Sequence, residues 1–252
     1  MDIQVNETYS LLTDFVRRIP EVFEAEGTLF YEGRNRIKIF EVDGLLLNVK
    51  RYHRPLLFNQ LIYGFLRNPK AVKAYCNALK LMESGFETPE PVACILEKRL
   101  GLLGFSYFVS LHHSAGNQIR DYWFSKGEGE DKILLQAFAR YSAQLHQAGI
   151  YHLDYSPGNI LYEKKADGYH FTLVDINRMK FQDVGIEEAC QNFSRLFEYD
   201  EAVRIVAAEY ASRRGFDVNL CTEKMLLHKR AFLVKDKKRD LRKARKAERK
   251  TK

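Results

Sequence analysis

No stretch of the 252-residue chain reaches the eighteen or so uncharged apolar residues that a membrane-spanning helix needs. The opening MDIQVNETYS has neither the basic n-region nor the apolar h-region of a secretion signal, so a cytoplasmic protein is expected. Cysteine is scarce and scattered. Cys76, Cys94, Cys190 and Cys221 form no Cys-x-x-Cys pair and have no histidine cluster, which gives a disulfide framework or zinc site no support and points to reduced, mostly buried thiols. No internal repeat is visible. Apolar material is plentiful: 46% hydrophobic and 13% aromatic residues suit one large domain or two small lobes and exclude disordered and fibrous classes.

Positive charge is unevenly placed. Residues 229–252 hold thirteen Lys/Arg against Asp236, Asp240 and Glu248, a net +10, so residues 1–228 carry −3 of the whole-chain +7. The basic balance therefore describes a tail and says little about the partners of the body.

Apolar positions in 7–22 recur at helical spacing, which predicts an opening helix ended by Pro20. From Gly27 to Tyr52 the pattern alternates, with Gly33 and Asp43-Gly44 as punctuation, and predicts three antiparallel strands. Asn68 reads as an N-cap before Pro69, and Val72, Tyr75, Leu79 and Met82 share one face of a helix stopped by Gly85. Strands follow near 91–97 and 107–111 around a turn at Gly101 to Gly104. Beyond His112 the texture is helical, notably 131–148, with Ile133, Leu134, Phe138, Tyr141 and Leu145 on one side. Residues 159–175 read as a hairpin, and 187–197, 202–213 and 222 onward as helices.

Chemistry concentrates in His152-Leu-Asp154-Tyr-Ser-Pro-Gly-Asn159, with Asp175 sixteen residues beyond Asn159. Phosphoryl transfer needs a carboxylate to accept the proton of the attacking hydroxyl, and oxygen ligands to hold Mg²⁺ on nucleotide phosphates. Asp154, Asn159 and Asp175 are of those types. The hairpin brings the chain at Asn159 back beside Asp175, and five residues of loop put Asp154 near them.

These residues resemble the protein-kinase-like fold, whose catalytic loop is His-x-Asp-x-x-x-x-Asn and whose metal-binding Asp follows a short hairpin. With Asn48-Val49-Lys50-Arg51-Tyr52, Thr88-Pro89-Glu90-Pro91 and Leu173-Val-Asp175-Ile-Asn-Arg178, the chain is similar to the lipopolysaccharide core kinases, bacterial enzymes that phosphorylate Kdo or heptose. The likeness covers about residues 28–200. It implies an α+β, two-lobed fold: an antiparallel-sheet N-lobe with one main helix over 1–111, a helical C-lobe over 112–228, and the basic tail 229–252, with ATP and Mg²⁺ bound between the lobes. It further implies Asp154 as base, His152 as the residue that orients its loop, Asn159 and Asp175 as Mg²⁺ ligands, and Lys50 on the α/β-phosphates. The acceptor implied is lipid-linked, the core of lipid A, on the cytoplasmic face of the inner membrane.

The chain departs from that pattern in places. There is no Gly-x-Gly-x-x-Gly; the first turn offers Gly33-Arg34-Asn35, with Arg34 or Arg36 as a cation for the phosphates. The helix acid that normally pairs with the strand lysine is missing from its usual place, and Glu83 lies late in the helix. Ser156 stands where protein kinases carry lysine, and no Ala-Pro-Glu follows Asp175, which favours a small or glycolipid acceptor over a protein. A kinase for a protein or another small molecule, and a nucleotide-binding module without activity, are the alternatives. The apolar segment 55–66 is read as a helix packed on the smaller lobe or as an interfacial element, and Trp123 as a core residue. Tail cations fit a solvated helix or an anionic membrane surface. A nucleic-acid platform is not expected there, because aromatic residues do not interleave with the basic ones.

Overall fold

Two hydrophobic patterns give the chain two folding units, Met1–Ala115 with Thr172–Arg178, and Gly116–Phe171 with Met179–Lys252. The computed structural model describes residues 1–54, 68–99, 102–114 and 116–248. The apolar segment 55–66 and Gly101 lie outside the described residues.

The first unit contains β1 (Asp2–Val5), a 3-10 segment (Glu7–Leu12), α1 (Thr13–Val22), β2 (Thr28–Glu32), β3 (Arg36–Val42), β4 (Leu45–Tyr52), α2 (Lys70–Glu83), β5 (Pro91–Arg99) and β6 (Leu102–Leu111). Its strands form one antiparallel sheet in the order β1-β5-β6-β4-β3-β2. The three strands expected between Gly27 and Tyr52 are present. Asp43 and Gly44 take φ of 51° and 77°, the paired positive values of a two-residue hairpin turn whose twist matches its strands.

Four expectations need correction here. The chain opens with a strand, not a helix: Asp2-Ile3-Gln4-Val5 alternates and pairs with β5 at the sheet edge, but two apolar residues are too faint a signal to read. Pro20 sits inside α1, which runs on to Val22, because a proline removes only one donor from the helical ladder. Asn68 is not the cap of α2; Pro69 holds that place with an extended ψ of 159°, and the helix begins at Lys70. Finally, the buried stripe of α2 is Ala71, Ala74, Tyr75, Ala78 and Leu81, while Met82 is exposed. Its alanines let the helix lie close on β5 and β6, so the face is set by small residues that hydrophobic spacing undervalues.

Val16, Ile19 and Phe23 from the α1 region pack with Phe40, Leu47, Val49, Tyr107 and Val109 in one cluster. Each such fully buried side chain contributes about 1.5–3 kcal/mol. Strand alternation puts Leu47, Val49 and Arg51 on that side of β4 and Lys50 and Tyr52 on the other. Arg51 is structural. It pairs with Glu24 at 2.5 Å and lies between Phe23 and Phe105, at 4.4 and 4.5 Å from their ring centres.

The second unit contains β7 (Asn117–Gln118), α3 (Glu130–Gln147), β8 (Ile150–His152), β9 (Ile160–Lys165), β10 (Gly168–Leu173, whose last residues join the first unit), β11 (Met179–Phe181), α4 (Ile186–Asn192), α5 (Asp200–Arg214) and α6 (Val218–Glu248). β10, β9 and β7 form one small sheet and β11 and β8 another. Phe138 of α3 centres the core, with Tyr155, Phe171, Phe193 and Phe197 at 5.9, 5.8, 6.2 and 6.1 Å. Ile133, expected inside, is exposed, and Leu135 is buried in its stead. The helix expected over 187–197 stops at Asn192. Trp123 is half-buried rather than fully in the core. All four thiols are free; Cys94, Cys190 and Cys221 are buried and Cys76 is half-buried.

α6 crosses position 229 without a break. Lys229 is buried, donates to the carbonyl of Glu198, and pairs with Asp200 at 2.7 Å. The basic run therefore starts inside a helix fixed to the body of its unit.

Candidate active site

In the first unit, segment 172–178 is tied down by backbone and side-chain bonds. Leu173 N donates to Glu87 O at 3.0 Å, Thr88 Oγ1 to Leu173 O at 2.8 Å, and Asn77 Nδ2 of α2 to Ile176 O at 2.7 Å. Glu87-Thr88 thus acts as a clamp on the strand that leads into Asp175. There Asp175 takes φ 55°, a left-handed conformation uncommon for a residue with a Cβ. Such a backbone costs on the order of 1–3 kcal/mol and persists only where its surroundings hold it. Here Lys50 Nζ and Asn177 Nδ2 both donate to Asp175 Oδ1 at 2.6 Å.

Tyr52 lies beside this pair, and burial together with the Asp175 charge pushes its hydroxyl well above the usual phenol range, so it stays neutral. Lys70, the first residue of α2, is shifted downward, chiefly by burial and then by the positive field of Arg34, with further contributions from Lys50 and Arg178. Asp175 opposes that shift. Lys70 thus feels three other cations and one carboxylate, an excess of positive charge suited to a polyphosphate. Arg34 is exposed at the β2–β3 turn. Arg36 is already engaged, by Glu32 at 2.6 Å and Glu24 at 2.9 Å. Glu83 is exposed at the end of α2, and the acid that Lys50 meets is Asp175 itself.

In the second unit, burial alternates along the loop after β8: His152, Tyr155 and Pro157 point inward, while Leu153, Asp154, Ser156, Gly158 and Asn159 are half-exposed. Asp154 N donates to His152 Nδ1 at 3.0 Å, and Asn159 Nδ2 donates to the Asp154 carbonyl at 2.9 Å. The histidine orients the loop and the asparagine closes it. The Asp154 carboxylate accepts from Arg195 Nη1 at 2.7 Å. Gly158 lets the Arg120 guanidinium lie close over the loop, where a Cβ would force that side chain to move. Behind the loop, Asn192 Nδ2 donates to the His152 carbonyl at 3.0 Å, and Asn192 Oδ1 meets His146 Nε2 at 3.2 Å. His146 Nδ1 meets the Tyr210 hydroxyl at 2.8 Å. Burial, against the hydrogen bond that His146 Nε2 makes to Asn192 Oδ1, drops the His146 pKa to about 4, so the network is neutral.

The structure therefore brings Lys50 and Asp175 together in one unit and His152, Asp154 and Asn159 together in the other. Arg195, Arg120 and Lys70 were not legible beforehand. Only Lys70 carried a signal, a cation directly after the proline that opens a helix. Among the described residues no three or more His, Cys, Asp or Glu side chains gather as a metal cage. Mg²⁺ does not require one, since it takes one or two protein oxygens and fills its shell with phosphate and water. Asp175 Oδ2 and the Asn159 amide oxygen, left over by the bonds above, are hard donors of that kind.

A family model described as lipopolysaccharide kinase (Kdo/WaaP) family matches residues 21–212. No curated protein matches the chain. A solved structure described as WaaP in complex with acyl carrier protein is similar over 96% of this chain and 99% of that one, with a TM-score of 0.61 at 18% identity, which shows a shared fold.

Proposed function

The chain belongs to the lipopolysaccharide kinase (Kdo/WaaP) family, and on that footing we propose how its residues carry out the transfer. It is a phosphotransferase that moves a phosphoryl group onto a sugar hydroxyl of the lipopolysaccharide core, with ATP as the donor its family implies. Asp154 accepts the proton of the acceptor hydroxyl, which is on Kdo or heptose. Asn159 and Asp175 hold Mg²⁺, which when bound neutralises phosphate charge. Lys50, Arg34 and Lys70 face the nucleotide phosphates. His152 and Arg195 are positioning residues: one fixes the loop backbone, the other the carboxylate. Nucleotide is handled by residues 1–111 together with the Mg²⁺ ligands Asn159 and Asp175, and the proton by the loop of 112–228.

The observation that carries this reading is the closed loop itself. Asn159 Nδ2 on the Asp154 carbonyl and His152 Nδ1 on the Asp154 amide fix a carboxylate and an amide oxygen on one short turn. A loop aspartate that served only as a cap would direct its carboxylate to a backbone N–H; Asp154 directs it to Arg195 instead.

No helix among the described residues is long and apolar enough to cross a membrane. We place the enzyme at the cytoplasmic face of the inner membrane, where exposed cations of α6 such as Lys237 and Arg245 meet anionic lipid. The test uses purified full-length protein, MgATP and a Kdo- or heptose-bearing acceptor, read by mass spectrometry. A gain of one phosphate is expected, absent with Asp154→Asn. Labelling of casein-like proteins with none on the glycolipid overturns the reading.

A further inference from the structure

One groove of the helical unit meets the scheme above only at Arg195. It encloses about 890 Å³, within the range of small-molecule sites. Leu153 and Tyr155 of the loop line it together with Gln191, Arg195 and one face of α6. The α6 positions 232, 235, 236, 238, 239, 242 and 243 recur at helical spacing, so a single face of the helix supplies its share of the lining.

The lining holds seven Lys or Arg side chains against two carboxylates, Glu188 and Asp236. Arg239 is paired with Asp236, and Lys243 stands 3.8 Å from Asp240. Lys180, Lys235, Lys238 and Arg242 line the groove with no acidic partner among the described residues. Cations held around a concave surface repel one another until an anion enters. Arg195 connects the groove to the chemistry, since its guanidinium lies 5.8 Å from the Phe232 ring centre and 2.7 Å from Asp154.

We propose that this groove is the acceptor site, and that it takes the phosphate or carboxylate groups of an anionic saccharide. Lys235, Lys238 and Arg242 grip those groups, and the sugar hydroxyl is presented toward the Asp154 side of Arg195. This face of α6 then selects substrate. The inference rests on the reading of Asp154 as the base, and it assigns the groove an anionic sugar in preference to lipid headgroups.

The test is calorimetry on the full-length protein with a deacylated, phosphate-bearing core oligosaccharide and with the same oligosaccharide after phosphatase treatment. Wild-type protein should bind the phosphorylated probe at least tenfold more tightly. Lys238→Glu/Arg242→Glu should lose at least tenfold on that probe and nothing on the other, and its acceptor KM should rise by a similar factor while the KM for ATP stays within twofold. Lys238→Gln/Arg242→Gln should show the same pattern more weakly, which separates lost charge from a disturbed helix. Unchanged binding overturns the proposal. So does a loss that falls on ATP, or one that falls only on phosphatidylglycerol vesicles, which would make the groove a headgroup contact. If the variants lose the saccharide but the wild type never phosphorylates it, the groove stands and the catalytic reading fails.

Discussion

The two halves of the candidate site are built by opposite means. In the strand-rich unit, Lys50, Asp175, Arg34 and Lys70 are held as charges, with one carboxylate strained into a left-handed conformation among several cations. In the helical unit, the backbone of the loop around Asp154 is fixed by hydrogen bonds to His152 Nδ1 and from the side-chain amides of Asn159 and Asn192, backed by an uncharged His146, and one ion pair, from Arg195, orients the carboxylate. Charges can exchange partners when phosphates and a metal arrive, whereas a hydrogen-bonded loop keeps one geometry. The half proposed to bind nucleotide is thus poised to re-pair, and the half proposed to take the proton is preorganised.

The sharpest way to break this comparison is at Asp154. An amide keeps the size and much of the hydrogen bonding of the carboxylate but cannot accept the proton, and a general base contributes about 10²–10⁴-fold. Asp154→Asn should lower kcat by about a thousandfold with ATP affinity nearly intact, as measured by steady-state transfer and nucleotide titration. A parallel loss of ATP binding would mean that the two halves are not separable in the way their construction suggests.

Lys50 tests the other half. A hydrogen bond to a charged group is worth about 1.5–3 kcal/mol. Lys50→Met should therefore raise the KM for ATP by about tenfold to a hundredfold, and it also releases Asp175. Asp175→Asn should weaken ATP mainly when Mg²⁺ is present. If Lys50→Met lowers kcat with KM unchanged, the lysine acts at the transition state and the division of labour is wrong.

How much of this could be read beforehand depends on distance along the chain. Asp154 and Asn159 lie within one short loop, so residue type and spacing pointed to them, Asp175 followed from the hairpin between, and the role of His152 was implied by the family resemblance. Lys50 was implied by the family resemblance, which the third strand of a clear meander made easy to place. Arg195 did not, because its bond to Asp154 spans forty-one positions and the helix expected there ends before it. Periodicity carries no record of such a contact. The same reason hid β1, which pairs with a strand some ninety residues away, and the groove face of α6, whose cations read only as tail charge.

A third test separates the halves by pH. An unfolded histidine takes a proton near pH 6.5, whereas folded His146 resists protonation down to about 4. Below pH 6.5 the unfolded chain therefore binds the extra proton first. The stability from the neutral network is full above pH 6.5 and is lost as the pH falls toward 4. Between pH 7 and pH 5 the loss attributable to this group is about 2 kcal/mol. Urea midpoints at the two values should show it, and His146→Gln should flatten the slope while lowering stability at pH 7. A slope that persists in the variant would place the pH sensitivity elsewhere.

The smallest effect distinguishes two neighbouring arginines on the nucleotide half. Arg36 is engaged by Glu24 and Glu32, and its side chain is 40% exposed, so these ion pairs are screened and worth less than about 1 kcal/mol each. Arg36→Ala should cost a little stability and leave the KM for ATP where it was. Arg34, two residues earlier in the β2–β3 turn, has no such acidic partner among the described residues and contributes to the positive field at Lys70. An exposed cation acts on a phosphate through solvent, so Arg34→Ala should raise the KM for ATP by only a fewfold, with the difference shrinking as salt rises from 0.05 M to about 0.5 M. Equal effects from the two variants, or an Arg34 effect that ignores salt, would show that the turn matters for its shape and not for its charge.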